Sequence, residues 1–203
     1  MVFFTCVAMA QSEQYKSSML SLGKRMTGAD APEVYADLAN AYNRIAENEK
    51  EQWLPKYYAS FCYIMQAMKT SDKDKIDGIL DQADELLANM SITTKSEEIM
   101  CLQSLSRSTR IGVDPMTRGM RYGMESAKFL GEAQRVNPEN PRIYYLQAQS
   151  AFYTPEAYGG GKAKAKELFA KSLEKFASFK PANELMPNWG KEDAERMLAE
   201  CSK

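Results

Sequence analysis

The sequence predicts an all-α protein, a right-handed solenoid of antiparallel helix pairs closed by capping helices. Three observations lead there. Ala, Glu, Lys, Leu, Met and Gln dominate the chain, and β-branched residues nowhere alternate with polar ones over the length of a strand. The eight prolines all fall at the starts of helical patterns or between them, where a missing N–H costs little. A small–large–small motif recurs from Ala83 onward at intervals of 43 and 39 residues, a period typical of helical solenoids.

Helices are expected near 12–26, 32–51, 53–69, 72–89, 95–111, 115–136, 141–153, 162–179 and 191–202. Asp30-Ala31-Pro32-Glu33 reads as a cap, a proline at the first helical position and a first-turn carboxylate. Asp72 and Asp114 should cap the helices that follow them. Short connections force consecutive helices to pack as antiparallel neighbours. The one long and unusual connection is 154–161.

The segment 1–10, MVFFTCVAMA, has no charge and ends in Ala8-Met9-Ala10. It reads as a signal-peptide remnant cleaved after Ala10, with export to the periplasm as the consequence and 11–203 as a single α-helical domain. A lipid-bearing Cys6 is the less favoured alternative, because Thr5 and Phe3 fit a lipobox poorly. The mature chain then keeps Cys62, Cys101 and Cys201, an odd number without CxxC spacing, so no disulfide framework follows. Cys62, inside an apolar run, should behave as a small buried hydrophobe.

Composition removes several functions. With 26 Lys+Arg against 27 Asp+Glu the net charge of −1 gives no basis for coating nucleic acid. There is no histidine, which excludes imidazole acid/base chemistry, the Ser-His-Asp and Cys-His arrangements and His-containing zinc sites. The paired carboxylates lie on helix faces beside Lys and Arg, where ion pairing accounts for them. No enzyme, cofactor or metal site is expected, and no transmembrane helix in the mature chain.

The repeat motif is clearest in Ala165, Phe169, Ser172 and Leu173, faced by Tyr144, Ala148 and Ala151 of the preceding helix. Ser126, Leu130 and Ala133 repeat it one unit earlier, and Ala83, Leu87 and Met90 give a weaker copy. This arrangement resembles the tetratricopeptide repeat family over roughly 53–180, with pairs at about 53–90, 95–136 and 141–179 and a capping helix at 190–202. Its period is longer than the usual ~34 residues, and Cys62 or Ala148 stands where the first-helix glycine belongs. The run from Tyr153 through Gly159-Gly160-Gly161 to Ala165 is similar to exported bacterial repeat proteins, including the T component associated with tripartite periplasmic transporters. What the resemblance implies is fold and compartment.

A solenoid offers a concave groove lined by its first helices. With Tyr144 and Ala148 in the stack, Arg142, Tyr145, Gln149 and Phe152 should face that groove, and Lys56, Tyr63 and Gln66 should hold the equivalent surface one pair earlier. The expected function is a non-catalytic, protein-binding scaffold of the cell envelope that takes a protein or peptide segment there. The alternative is an accessory subunit for a small anionic solute, with Gly160, Gly161, Lys162 and Arg142 supplying positive potential. The glycine run also reads as a tight turn. Met116, Met120 and Met124, one turn apart, are expected to be pliable core packing, and Trp189 a buried part of the C-terminal cap.

Overall fold

The computed structural model describes the backbone of residues 3–203 and the side chains from Glu13 onward. The readings placed on 1–10, with the cleavage point and Cys6, concern side chains outside the described residues. Among the described residues there are helices and no strand, so the chain is all-α. It divides into two compact units, the first formed by residues 1–94 with Asn183–Met186, the second by Lys95–Ala182 with Pro187–Lys203.

The first unit contains α1 (Phe3–Thr27), α2 (Pro32–Asn48), α3 (Leu54–Lys69) and α4 (Lys73–Thr93). α3 is its axis, packed against α2 on one side and α4 on the other. α2 packs chiefly on α3, with a smaller contact to α1, and buries one stripe of Tyr35, Leu38, Ala39, Tyr42 and Ala46 at helical spacing. α3 packs on two neighbours and is buried almost all round, through Leu54, Tyr57, Tyr58, Phe61, Cys62 and Ile64 among others. Tyr42 stacks on Tyr58 with ring centres 5.3 Å apart, and the Tyr58 hydroxyl donates to the Leu185 carbonyl at 2.7 Å, which ties the segment Asn183–Met186 to this unit.

The second unit contains α5 (Glu97–Ile111), α6 (Pro115–Val136), α7 (Pro141–Tyr153), a 3-10 turn (Glu156–Tyr158), α8 (Lys162–Ser178) and α9 (Lys191–Glu200). α5 pairs with α6 and α7 with α8, α7 also touches α5 and α6, and α9 lies on α8. The repeat residues form the contacts: Ser126, Leu130 and Ala133 of α6 and Ala165, Phe169 and Ser172 of α8 are buried. Small side chains at these points let the helix axes approach closely. Among the described residues no helix is long and apolar enough to cross a membrane.

From α2 onward the helix limits follow the proline and cap signals within a few residues, with instructive exceptions, whereas α1 begins at Phe3 rather than near residue 12. Asp72 and Asp114 cap their helices as expected, through Asp74 N and through Met116 N and Thr117 N. Asp30 does not cap α2. The capping position is Ala31, with no side-chain bond, while Asp30 forms an ion pair with Lys69 of α3. α2 stops at Asn48 rather than 51, because Gln52 N turns back to the Glu49 carbonyl ahead of the proline that opens α3.

Cys62 and Cys101 are fully buried and free. Burial pushes the Cys62 thiol up to about 12 and raises that of Cys101 as well, since a thiolate is poorly solvated there. A thiol reagent at pH 8 should therefore label the half-buried Cys201 in the folded chain, and Cys62 and Cys101 only after denaturation. Peptide mapping of the labelled sites checks this, and early labelling of Cys62 would contradict the packing of α3.

Candidate functional site

The second unit holds an open groove of about 390 Å³ between α6, α7 and the start of α8. Its α6 wall is Ser126, Ala127 and Leu130. Its floor is Gln147, Ser150, Ala151 and Thr154 of α7, and its far wall runs from Tyr158, Gly159 and Gly160 to Lys164 and Leu168. The walls are held in register by hydrogen bonds from the Gln134 side chain to the Tyr144 hydroxyl and from Gln147 to Gln134, at 3.5 and 3.4 Å. Ser104 and Ser108 of α5 bond Ser126 at 2.7 and 2.9 Å, so the polar side of α6 is satisfied inward.

The groove is lined by polar and apolar residues alike, with Lys164 as the cation at its edge; beyond it on α8, Lys175 is paired with Glu139 at 2.7 Å. Lys164, Leu168, Lys171 and Lys175 follow one another at helical spacing on α8. Lys171 and Lys175 lie 4.5 and 6.0 Å from the centre of the Tyr144 ring, over its face. Tyr158 is 82% exposed at the rim. Charge is unequally divided between the units. The first has 9 Lys+Arg and 14 Asp+Glu, a net −5, and the second has 17 and 13, a net +4, which together give the −1 of the chain. The groove therefore sits in a positive unit of a nearly neutral protein, a setting that favours an anionic ligand.

A second open groove, of about 450 Å³, lies in the first unit between α1 and α2. It is lined by Ser17, Ser18, Ser21, Leu22, Ala41, Arg44, Ile45 and Asn48.

The structure corrects the expected positions of several residues. Arg142 does not face a groove. It is 0% exposed, with its guanidinium on the Glu98 carboxylate and flanked by the rings of Phe179 at 4.7 Å and Trp189 at 5.6 Å. Asn140 adds a bond to Glu98 at 2.6 Å and accepts from Arg142 N at 3.0 Å, capping α7. Buried charges require such pairing, and this network joins α5, α7 and the approach to α9. Tyr145 is buried too. Its hydroxyl accepts from Gln149 at 2.8 Å, and burial raises its ionisation above the usual phenol range. Phe152 is half-buried against Tyr153.

In the first unit Tyr63 is buried with its hydroxyl taken by Asn43 at 2.9 Å, while Lys56 and Gln66 are half-buried. None of these seven residues lines either groove. The floor of the groove between α6, α7 and α8 is another face of α7, displaced by one or two positions from the expected one.

The glycine run is a turn. Gly159 and Gly161 have φ of 81° and 102°, and the N–H of Gly161 bonds the carbonyls of Ala151 and Thr154 at 2.9 Å while that of Gly160 bonds Pro155 at 3.2 Å. The N–H groups of Gly160 and Gly161 are thus taken and do not present themselves to an anion. Lys162 points to the Glu200 carbonyl at 3.5 Å, and the lysine that reaches the groove is Lys164, bonded to the Gly159 carbonyl at 2.8 Å. Trp189, expected to be buried, is half-buried ahead of α9, edge-on to Tyr145 at 6.2 Å.

The methionine stripe is the largest departure. Met116, Met120 and Met124 are 93%, 81% and 63% exposed instead of packed in the core. α6 meets its neighbours through Ser126, Leu130 and Ala133, which stand on a different side of the helix from the methionines. The two sets are out of phase by roughly a third of a turn, a signal present in the spacing.

No family model matches the chain, and no curated protein matches it. Among solved structures it is similar to the HusA haemophore from Porphyromonas gingivalis, with a TM-score of 0.80 and 34% identity over 94% of this chain and 92% of that one. At that identity and coverage the likeness exceeds a shared fold, and the chain belongs to the same family as the HusA haemophore.

Proposed function

We propose that this protein is a non-catalytic carrier of haem or a related porphyrin, held in the groove between α6, α7 and α8. The observation that carries this reading is the likeness to a haemophore over nearly the whole length of both chains. The site's chemistry is compatible with it. A porphyrin presents a flat apolar ring and carboxylate side arms, and the groove offers Ala127, Leu130, Ala151 and Leu168 to the ring and Lys164 to a carboxylate.

Because the chain has no histidine, an imidazole cannot hold the iron, and the ring with its carboxylates is the natural handle. This is the small-anion alternative in a specific form. The protein-scaffold reading has less to stand on, since Arg142 and Tyr145, its two anchors, are buried. Export to the periplasm and a tetratricopeptide-like, right-handed stacking of the helix pairs remain part of the proposal.

Titration with haemin and with metal-free protoporphyrin tests it. Both should bind, the metal-free ring within about tenfold of haemin, and Lys164→Glu should weaken each by about tenfold while the helical signal is unchanged. Absence of any absorbance shift or tryptophan quenching at saturating porphyrin would remove the reading. Equal affinity in Lys164→Glu would move the site elsewhere.

A further inference from the structure

We propose that Met116, Met120 and Met124 form a binding site for a soft monovalent cation, Cu(I) or its analogue Ag(I), in which Met120 is shared by two alternative thioether pairs. This goes beyond the carrier reading and does not depend on it.

The first argument is placement. The three residues lie at i, i+4 and i+8 on α6, and side chains one turn apart on a helix have Cβ atoms about 5–6 Å apart. Each methionine has three side-chain torsions and an unhindered outward position. The sulfurs of neighbouring turns can therefore close on one ion. Met116 and Met124 are two turns and about 12 Å apart along the axis, too far to close on an ion comfortably without Met120. Two overlapping pairs result, Met116 with Met120 and Met120 with Met124.

The second argument is ligand chemistry. Thioethers are neutral, soft donors that select Cu(I) and related ions and hold hard divalent cations poorly. Among the described residues no group of three or more Cys, Asp or Glu is placed to hold a metal, so a hard-donor site does not compete. Of the neighbouring cations on α6, Arg121 is paired with Glu125 at 3.1 Å, Arg118 reaches the Arg110 carbonyl at 3.4 Å and Lys128 stands one turn beyond Met124, while the Asp114 carboxylate sets a negative charge beside Met116. Exposed apolar side chains on α6 that served only to contact a ring or a protein could equally be Leu or Ile. All three large ones along this stripe are sulfur donors.

The test is titration of the porphyrin-free chain with silver nitrate in chloride-free buffer, read through the methyl signals of labelled methionines. A Cys6→Ser, Cys201→Ser background leaves the buried Cys62 and Cys101 as the remaining thiols. Signals of Met116, Met120 and Met124 should shift and saturate near one ion per chain, while the other methionines stay in place. Met120→Leu should lower the affinity by tenfold or more, whereas Met116→Leu and Met124→Leu, each leaving one pair intact, should lower it about twofold.

Equal loss in all three single variants, unchanged binding in Met120→Leu, or no shift of the three signals would each overturn the proposal. Positions this exposed leave the fold untouched on substitution, which an unchanged melting curve for each variant verifies. Porphyrin titration of the same variants separates the two sites. A failure of silver binding leaves the carrier reading standing, and a failure of porphyrin binding leaves this one.

Discussion

Glu98→Gln should lower the unfolding free energy by about 3–5 kcal/mol, the largest effect expected of any single charge change in the chain. Glu98 is 3% exposed and its carboxylate is the counter-ion of Arg142, itself 0% exposed, with Asn140 as a further donor to the same oxygen. Glutamine keeps the shape but removes the charge and turns an N–H₂ group toward other donors. A guanidinium is then left in the interior without the Glu98 charge, beside two aromatic faces and the Trp189 carbonyl.

The penalty belongs to the unpaired ion, not to the absence of a favourable bond. The double variant Glu98→Leu, Arg142→Met should accordingly be more stable than Glu98→Gln. Urea unfolding of the three proteins decides the matter, with the midpoint shifting and the slope unchanged. A Glu98→Gln variant within about 1 kcal/mol of the parent would show that Arg142 is held by its aromatic neighbours and Asn140 instead.

Gly160→Ala should cost about 3 kcal/mol and reduce porphyrin binding in the same protein. A Cβ at this position would stand 2.1 Å from the Thr154 carbonyl oxygen and 2.7 Å from that of Ala151, both backbone atoms of the last turn of α7. The main chain must move, and with it the bonds from Gly161 N to those two carbonyls. Tyr158, Gly159 and Gly160 form one end of the groove, so the displacement reaches the ligand site. Gly78→Ala, at a helix position where a Cβ meets nothing within 4 Å, is the matched control and should be neutral or slightly stabilising. Equal stability of Gly160→Ala and the parent would mean that the 154–161 connection is not the close reversal described.

The glycine run shows how far local reasoning reaches. Its role as a turn was legible, because positive φ and close approach are properties of the chain itself, and Gly159 and Gly161 have the first while Gly160 has the second. The competing idea of an anion cradle depends on where the N–H groups point, and the carbonyls of Ala151, Thr154 and Pro155, up to ten residues earlier, take them. Caps behaved similarly. Asp72 and Asp114 act within three residues of themselves, as their spacing indicates, whereas Asp30 is drawn away by Lys69, 39 residues along the chain.

The site was less legible for a geometric reason. On α7 nearly every turn carries an aromatic or amide side chain, so periodicity alone does not say which face is open. Arg142 and Tyr145 looked like surface anchors because Arg and Tyr commonly are, yet the buried Glu98 claims the one and the Trp189 ring lies edge-on to the other. On α6 the opposite error arose. Ser126, Leu130 and Ala133 were recognised as packing residues, and the phase they set already places Met116, Met120 and Met124 outside.

By itself the sequence determined that the chain is helical, where the helices after the first begin and end to within a few residues, and which small residues lie at their contacts. These follow from interactions between near neighbours, namely caps, prolines and one apolar stripe per helix. Only the tertiary structure decided which polar groups are consumed inside. A guanidinium, a hydroxyl or a thioether has the same chemistry on either side of a helix, and whether it meets a carboxylate or water depends on a partner tens of residues away.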